Sequence, residues 1–99
     1  MTFSITNRDR QIDIETMMAD ERVLKAFDDT AEAMAIDERM HPVWPACPQD
    51  QMFIMLDGWK AAMIAARDYK HGELSAEMFR ARLVMLAGSI ERAIINLEV

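Results

Sequence analysis

Apolar and polar positions follow a helical period over most of this chain. From Asp20 to Met40, Val23, Leu24, Phe27, Ala31, Met34 and Ala35 share one face, while Glu21, Lys25, Asp28, Asp29 and Glu32 share the other. That pattern predicts an amphipathic helix with an acidic outer side. Upstream, Thr6-Asn7-Arg8-Asp9 resembles a capping box with Asp in the place of Glu or Gln, which starts the helical stretch near residue 9. Asp20 falls on the apolar side of the wheel, so a break is expected near residues 19–20, with Asp20 capping the longer piece.

The period stops at residues 41–48, His-Pro-Val-Trp-Pro-Ala-Cys-Pro, which hold all three prolines. Each proline fixes φ and removes a backbone donor, so this segment is read as a connector between the first predicted helix, 9–40, and the second, 49–70. Pro48 suits the first helical position and puts Cys47 at the N-cap. Met52, Met55, Leu56, Trp59, Ala62, Met63 and Ala66 form the expected core stripe of the second helix. Lys70 and His71 suit its C-terminal dipole, and Gly72 suits the left-handed residue just past it. Ser75 then caps a third helix, 75–97, whose expected core stripe is Phe79, Leu83, Leu86, Ile90, Ala93, Ile94 and Leu97.

These elements predict an all-α fold in a single domain, 1–99: a small antiparallel three-helix bundle. One such bundle cannot bury every apolar row the chain carries. Ile54, Gly58, Ala61 and Ala65 flank the stripe of the second helix, and Phe53 and Ile64 lie on its charged side. Val84, Gly88 and Ile95 lie opposite the stripe of the third, with Met78 and Met85 to one side. Their alignment in rows predicts self-association through Phe53, Ile54, Gly58, Ala61, Ile64, Ala65, Val84, Met85, Gly88 and Ile95. Ten methionines bear on the same question: Met17, Met34, Met52, Met55 and Met63 read as core, and Met18, Met78 and Met85 as candidates for contact surfaces.

Charge adds an asymmetry. The net charge is −6, with eleven acids against five bases in residues 1–50 and six against six in residues 51–99. An acidic first half argues against direct nucleic-acid binding and suits a basic partner. A single cysteine excludes an internal disulfide framework, and the charges at Arg8, Asp9, Arg10 and Asp13 do not fit a signal peptide, so a cytoplasmic location is expected. Charges also interrupt every apolar stretch before it reaches membrane-spanning length.

Candidate chemistry is sparse. Glu38-x-x-His41 and Asp68-x-x-His71 resemble halves of a carboxylate-bridged metal site, but each ends one of two antiparallel helices, on the order of 25–30 Å apart, so no metal is expected. No glycine-rich phosphate loop, HExxH or Ser-His-Asp set is present, and no enzyme activity or cofactor is expected. Arg80 and Arg82 near the start of the third helix only distantly resemble a helix-turn-helix reader, whose recognition helix would not carry so long an apolar stripe. Cys47 at a helix N-terminus is a candidate reactive thiol, and Cys47-Pro48 resembles the dipeptide of haem-responsive motifs. Trp44 reads either as a plug over the bundle end or as an anchor for a partner.

The expected function is a non-enzymatic helical interaction module, a homodimer through the second and third helices that acts as a regulator or inhibitor by docking on another protein. The partner surface is basic or apolar, met by Glu21, Asp28, Asp29, Glu32 and Trp44. Two alternatives stay open: an acidic decoy occupying a nucleic-acid site on another protein, and a thiol or haem sensor built on Cys47.

Overall fold

The break expected at residues 19–20 divides the first predicted helix in two. A computed structural model describes residues 7–97 and gives four helices in chain order: α1 (Asn7–Met18), α2 (Glu21–Met40), α3 (Pro48–Lys70) and α4 (Ala76–Asn96). No strand occurs among the described residues. Thr6, the cap of the expected capping box, lies outside them. Asp20 caps α2, its carboxylate accepting from the Arg22 backbone N–H at 2.9 Å and from Arg22 Nη2 at 2.8 Å. The Arg22 guanidinium and backbone N–H together hold that carboxyl below its ordinary range.

The other helix ends follow from local chemistry. Pro48 opens α3 behind Cys47, which occupies the N-cap without a side-chain cap bond. Gly72 takes φ 75°, a left-handed value that side chains disfavour. There the Glu73 N–H donates to the Asp68 carbonyl at 2.8 Å and the Gly72 N–H to the Tyr69 carbonyl at 3.1 Å, the paired bonds of a Schellman motif. Ser75 Oγ accepts from the Met78 N–H at 3.2 Å and caps α4, a bond that contributes about 1 kcal/mol in such positions.

Tyr69 and Phe79 stack at 5.5 Å across the turn, so α3 and α4 form an antiparallel hairpin. Asp29 meets Arg80 and Asp37 meets Arg92, which sets α2 parallel to α4. The directions therefore alternate along α2, α3 and α4. A closed three-helix bundle is not confirmed: α4 packs against both α2 and α3, while among the described residues no Cα of α2 comes within 8 Å of one in α3. Among the described residues α1 packs on α2 alone. The result is an open layer with α4 in the middle and a radius of gyration of 16.0 Å, against roughly 13 Å for a compact chain of this length.

The helices are joined by their small residues. A Cβ at Gly88 would lie 2.9 Å from the Met34 backbone nitrogen, and one at Gly58 would lie 3.3 Å from Leu86 Cδ1. Ala62, Ala65 and Leu86 are the buried apolar residues among those described. The large side chains expected in the core instead face outward: Met52 is 61% exposed, Trp59 54% and Ile94 65%. Met17 and Met63 are exposed as well, whereas Met34 and Met55 are half-buried.

Candidate functional site

Three surface features merit a functional reading: an apolar groove on the outer face of the α3–α4 hairpin, the acidic side of α2, and the corner where residues 41–47 cross the C-terminal end of α4.

The groove has a volume of about 610 Å³ and is lined from α3 by Met52, Met55, Leu56 and Trp59 and from α4 by Leu86, Ile90, Ala93, Ile94 and Leu97. Its walls include no charged side chain. It exists because Ala62, Ala65 and Gly58 bring α3 close to α4 and leave the bulkier neighbours of both helices splayed to one side. The stripes expected to form the core are thus divided: Ala62 and Leu86 are buried as expected, whereas Met52, Leu56, Trp59, Ile90, Ile94 and Leu97 line an open surface.

The rows expected to mediate self-association are divided. Phe53, Ile54, Ile64, Met85 and Ile95 are exposed. Gly58, Ala61 and Val84 are half-buried. Ala65 is buried in the chain's own fold and Gly88 lies against the backbone of α2. The burial of Gly88 has a simple cause. Around Gly88, the face of α4 opposite its large apolar stripe is covered by α2 of the same chain, while Met85 and Ile95 stay exposed.

On α2, Glu21, Asp28 and Glu32 face solvent. Asp29 does not stand free, because its Oδ2 accepts from Lys25 Nζ at 3.0 Å and pairs with Arg80 Nη1 at 2.7 Å. The Lys25 hydrogen bond, followed by that of Arg80, lowers the Asp29 carboxyl below its ordinary value of 3.8. A depressed carboxyl contributes stability that is complete above the unfolded value and is lost as the pH falls through the folded one. An NMR titration is expected to place the Asp29 midpoint below 3.8, with Arg80→Ala moving it upward; a midpoint indifferent to that substitution would show that the pair is not formed.

At the corner, Trp44 is half-buried and its ring lies 4.6 Å from the Arg92 guanidinium carbon. Arg92 is only 3% exposed. Its Nη1 donates to Asp37 Oδ2 at 2.8 Å and its Nη2 to the His41 carbonyl at 2.7 Å. Gln51 Nε2 donates to the Pro45 carbonyl at 2.7 Å from the other side of the connector. Among the described residues neither Arg92 Nε nor Trp44 Nε1 has an acceptor. This arrangement accounts for Trp44 as part of the corner's packing. Arg92 was not singled out from sequence, although a signal existed: it follows Val84 and Gly88 at four-residue spacing, so it is buried with that row once α2 covers it.

Cys47 is exposed. His41 and His71 are the C-caps of α2 and α3, and among the described residues no cluster of three His, Cys, Asp or Glu side chains could hold a metal ion. No helix among them is long and apolar enough to cross a membrane. Compared with known proteins, the chain matches no family model, no curated protein and no solved structure.

Proposed function

We propose that this chain is a non-enzymatic helical interaction module, which dimerises through α3 and α4 and acts as a regulator or inhibitor by docking on a partner protein. The supporting observation is the surface left uncovered. The chain exposes 8249 Å², whereas roughly 5,800 Å² is usual for a folded monomer of its mass. Most of its large apolar side chains contribute to that surface, and a continuous row of them lines a groove without charge. The outward acids Glu21, Asp28 and Glu32 suit a partner with a basic surface, and a cytoplasmic setting fits a chain with one unpaired thiol.

The test combines two measurements. Light scattering over a hundredfold concentration range is expected to give at least twice the 11.4 kDa chain mass. Affinity capture with this chain as bait is expected to retain a discrete protein, and joint Asp28→Lys and Glu32→Lys substitution to weaken that capture. A particle of one-chain mass throughout, retaining no protein, would overturn the reading. Displacement of the captured protein by added nucleic acid would transfer it to the decoy mechanism.

A further inference from the structure

We infer that the groove on the outer face of α3 and α4 is the seat of a second copy of this chain, whose own hairpin completes a four-helix core. The inference rests on the interaction-module reading and adds to it the occupant and the face. It takes the groove, in place of the rows that include Phe53, Gly58, Ile64 and Gly88, as the dimer surface.

Spacing is the first argument. Met52, Met55 and Trp59 in α3, and Leu83, Leu86 and Ile90 in α4, recur at alternating intervals of three and four residues, continued in α4 by Ala93 and Leu97. That repeat directs knobs into holes of facing helices and is the seam of a four-helix bundle. A hairpin supplies two helices of such a bundle. Within this chain the seam is satisfied on its inner edge, where Ala62 and Leu86 are buried, and open on its outer edge, where Met52, Trp59 and Ile90 are exposed.

Area is the second argument. The exposed surface exceeds the usual monomer value by roughly 2,400 Å². Part of that belongs to α1, which among the described residues contacts only α2. A pair of chains that each covered about 1,000 Å² of the excess would bury about 2,000 Å² in total, where the range of obligate homodimers begins.

Charge selects the occupant. Two copies each carry −6, and all of it resides in residues 1–50, while residues 51–99 have six acids and six bases. Approach through α2 would set acidic surfaces against each other. Approach through α3 and α4 brings neutral, uncharged walls together and leaves the acids at the periphery. An isologous contact through one face also closes at two copies, so that no apolar groove is left to propagate a filament.

Trp59→Glu and Ile90→Glu, made separately, are expected to convert a particle of twice 11.4 kDa into one of 11.4 kDa. Ile64→Glu, on the face away from the groove, is expected to leave the mass doubled. Because a groove variant can lose its fold together with its partner, Trp44→Phe supplies a second readout with Trp59 as the only tryptophan. Its emission is expected to shift to the red on dilution, over the same concentrations at which the mass halves. A mass that halves without movement of Trp59 emission would overturn the face, and so would dissociation by Ile64→Glu with Trp59→Glu still paired; both leave the module reading standing. A wild-type chain that is monomeric at every concentration would overturn the second copy itself, and the module reading would then depend on the captured partner alone.

Discussion

Arg92→Ala is expected to lower the unfolding free energy by about 3 kcal/mol, the largest effect of any single side chain outside the groove. The guanidinium is 3% exposed and joins three parts of the fold. Nη1 reaches Asp37 in α2, Nη2 reaches the carbonyl of His41 at the start of the connector, and the plane carries the ring of Trp44. Truncation removes those charge-assisted bonds and leaves the Asp37 carboxylate and the His41 carbonyl short of a donor. The figure is at the low end for a broken buried pair because the Asp37 side chain keeps 26% exposure and can recruit water. Asp37→Asn retains an acceptor facing Nη1 and is expected to cost less than half as much. Urea unfolding at one fixed protein concentration checks both, since the midpoint of a self-associating chain moves with concentration. A loss below 1 kcal/mol for Arg92→Ala would mean that the corner is held by the prolines and Gln51 without the arginine.

The second large effect is expected at Gly88, where Ala should destabilise by about 1–2 kcal/mol although it is the better helix former. The added Cβ would stand 2.9 Å from the Met34 nitrogen, 3.0 Å from Ala33 Cβ and 3.2 Å from the Ala33 carbonyl carbon. Backbone atoms cannot rotate aside, so α2 must retreat. Its retreat would also lengthen the Asp29–Arg80 and Asp37–Arg92 pairs, which lie on either side of Gly88 along the same interface. Gly58→Ala is the matched control. Its Cβ would meet Leu86 Cδ1 at 3.3 Å, the far end of a flexible side chain, and helix propensity favours Ala by about 1 kcal/mol. Thermal unfolding is therefore expected to show a lowered midpoint for Gly88→Ala and an unchanged or raised one for Gly58→Ala. Equal behaviour of the two would show that α2 does not approach α4 so closely.

Legibility from sequence depended on whether a feature was local. Gly72, Ser75 and Asp20 each terminate or start a helix through bonds to backbone atoms within a few residues, and Pro48 starts one through its fixed φ, so their roles are visible in the chain itself. Asp29 shows where that visibility ends. Its place on a charged helix face was evident, yet its link to Arg80, fifty-one residues on, needed the two helices to be set side by side. Arg92 was missed for the same reason.

The sequence by itself determined the all-helical character, the break at Asp20, the proline corner and the existence of more apolar surface than one chain can cover. Period and capping chemistry suffice for those, because both act within a turn or two of helix. Only the tertiary structure decided which apolar face meets which neighbour. Small residues such as Gly88 and Ala65 declare that a backbone comes close, and the backbones that come close here are the chain's own. Large residues such as Trp59 and Ile90 declare that a surface seeks cover, and the chain's own α2 lies on the other side of α4. Periodicity records that a face is apolar and carries no information on what will cover it, which is why the sequence did not show that Gly88 is covered by α2 while Trp59 and Ile90 stay exposed.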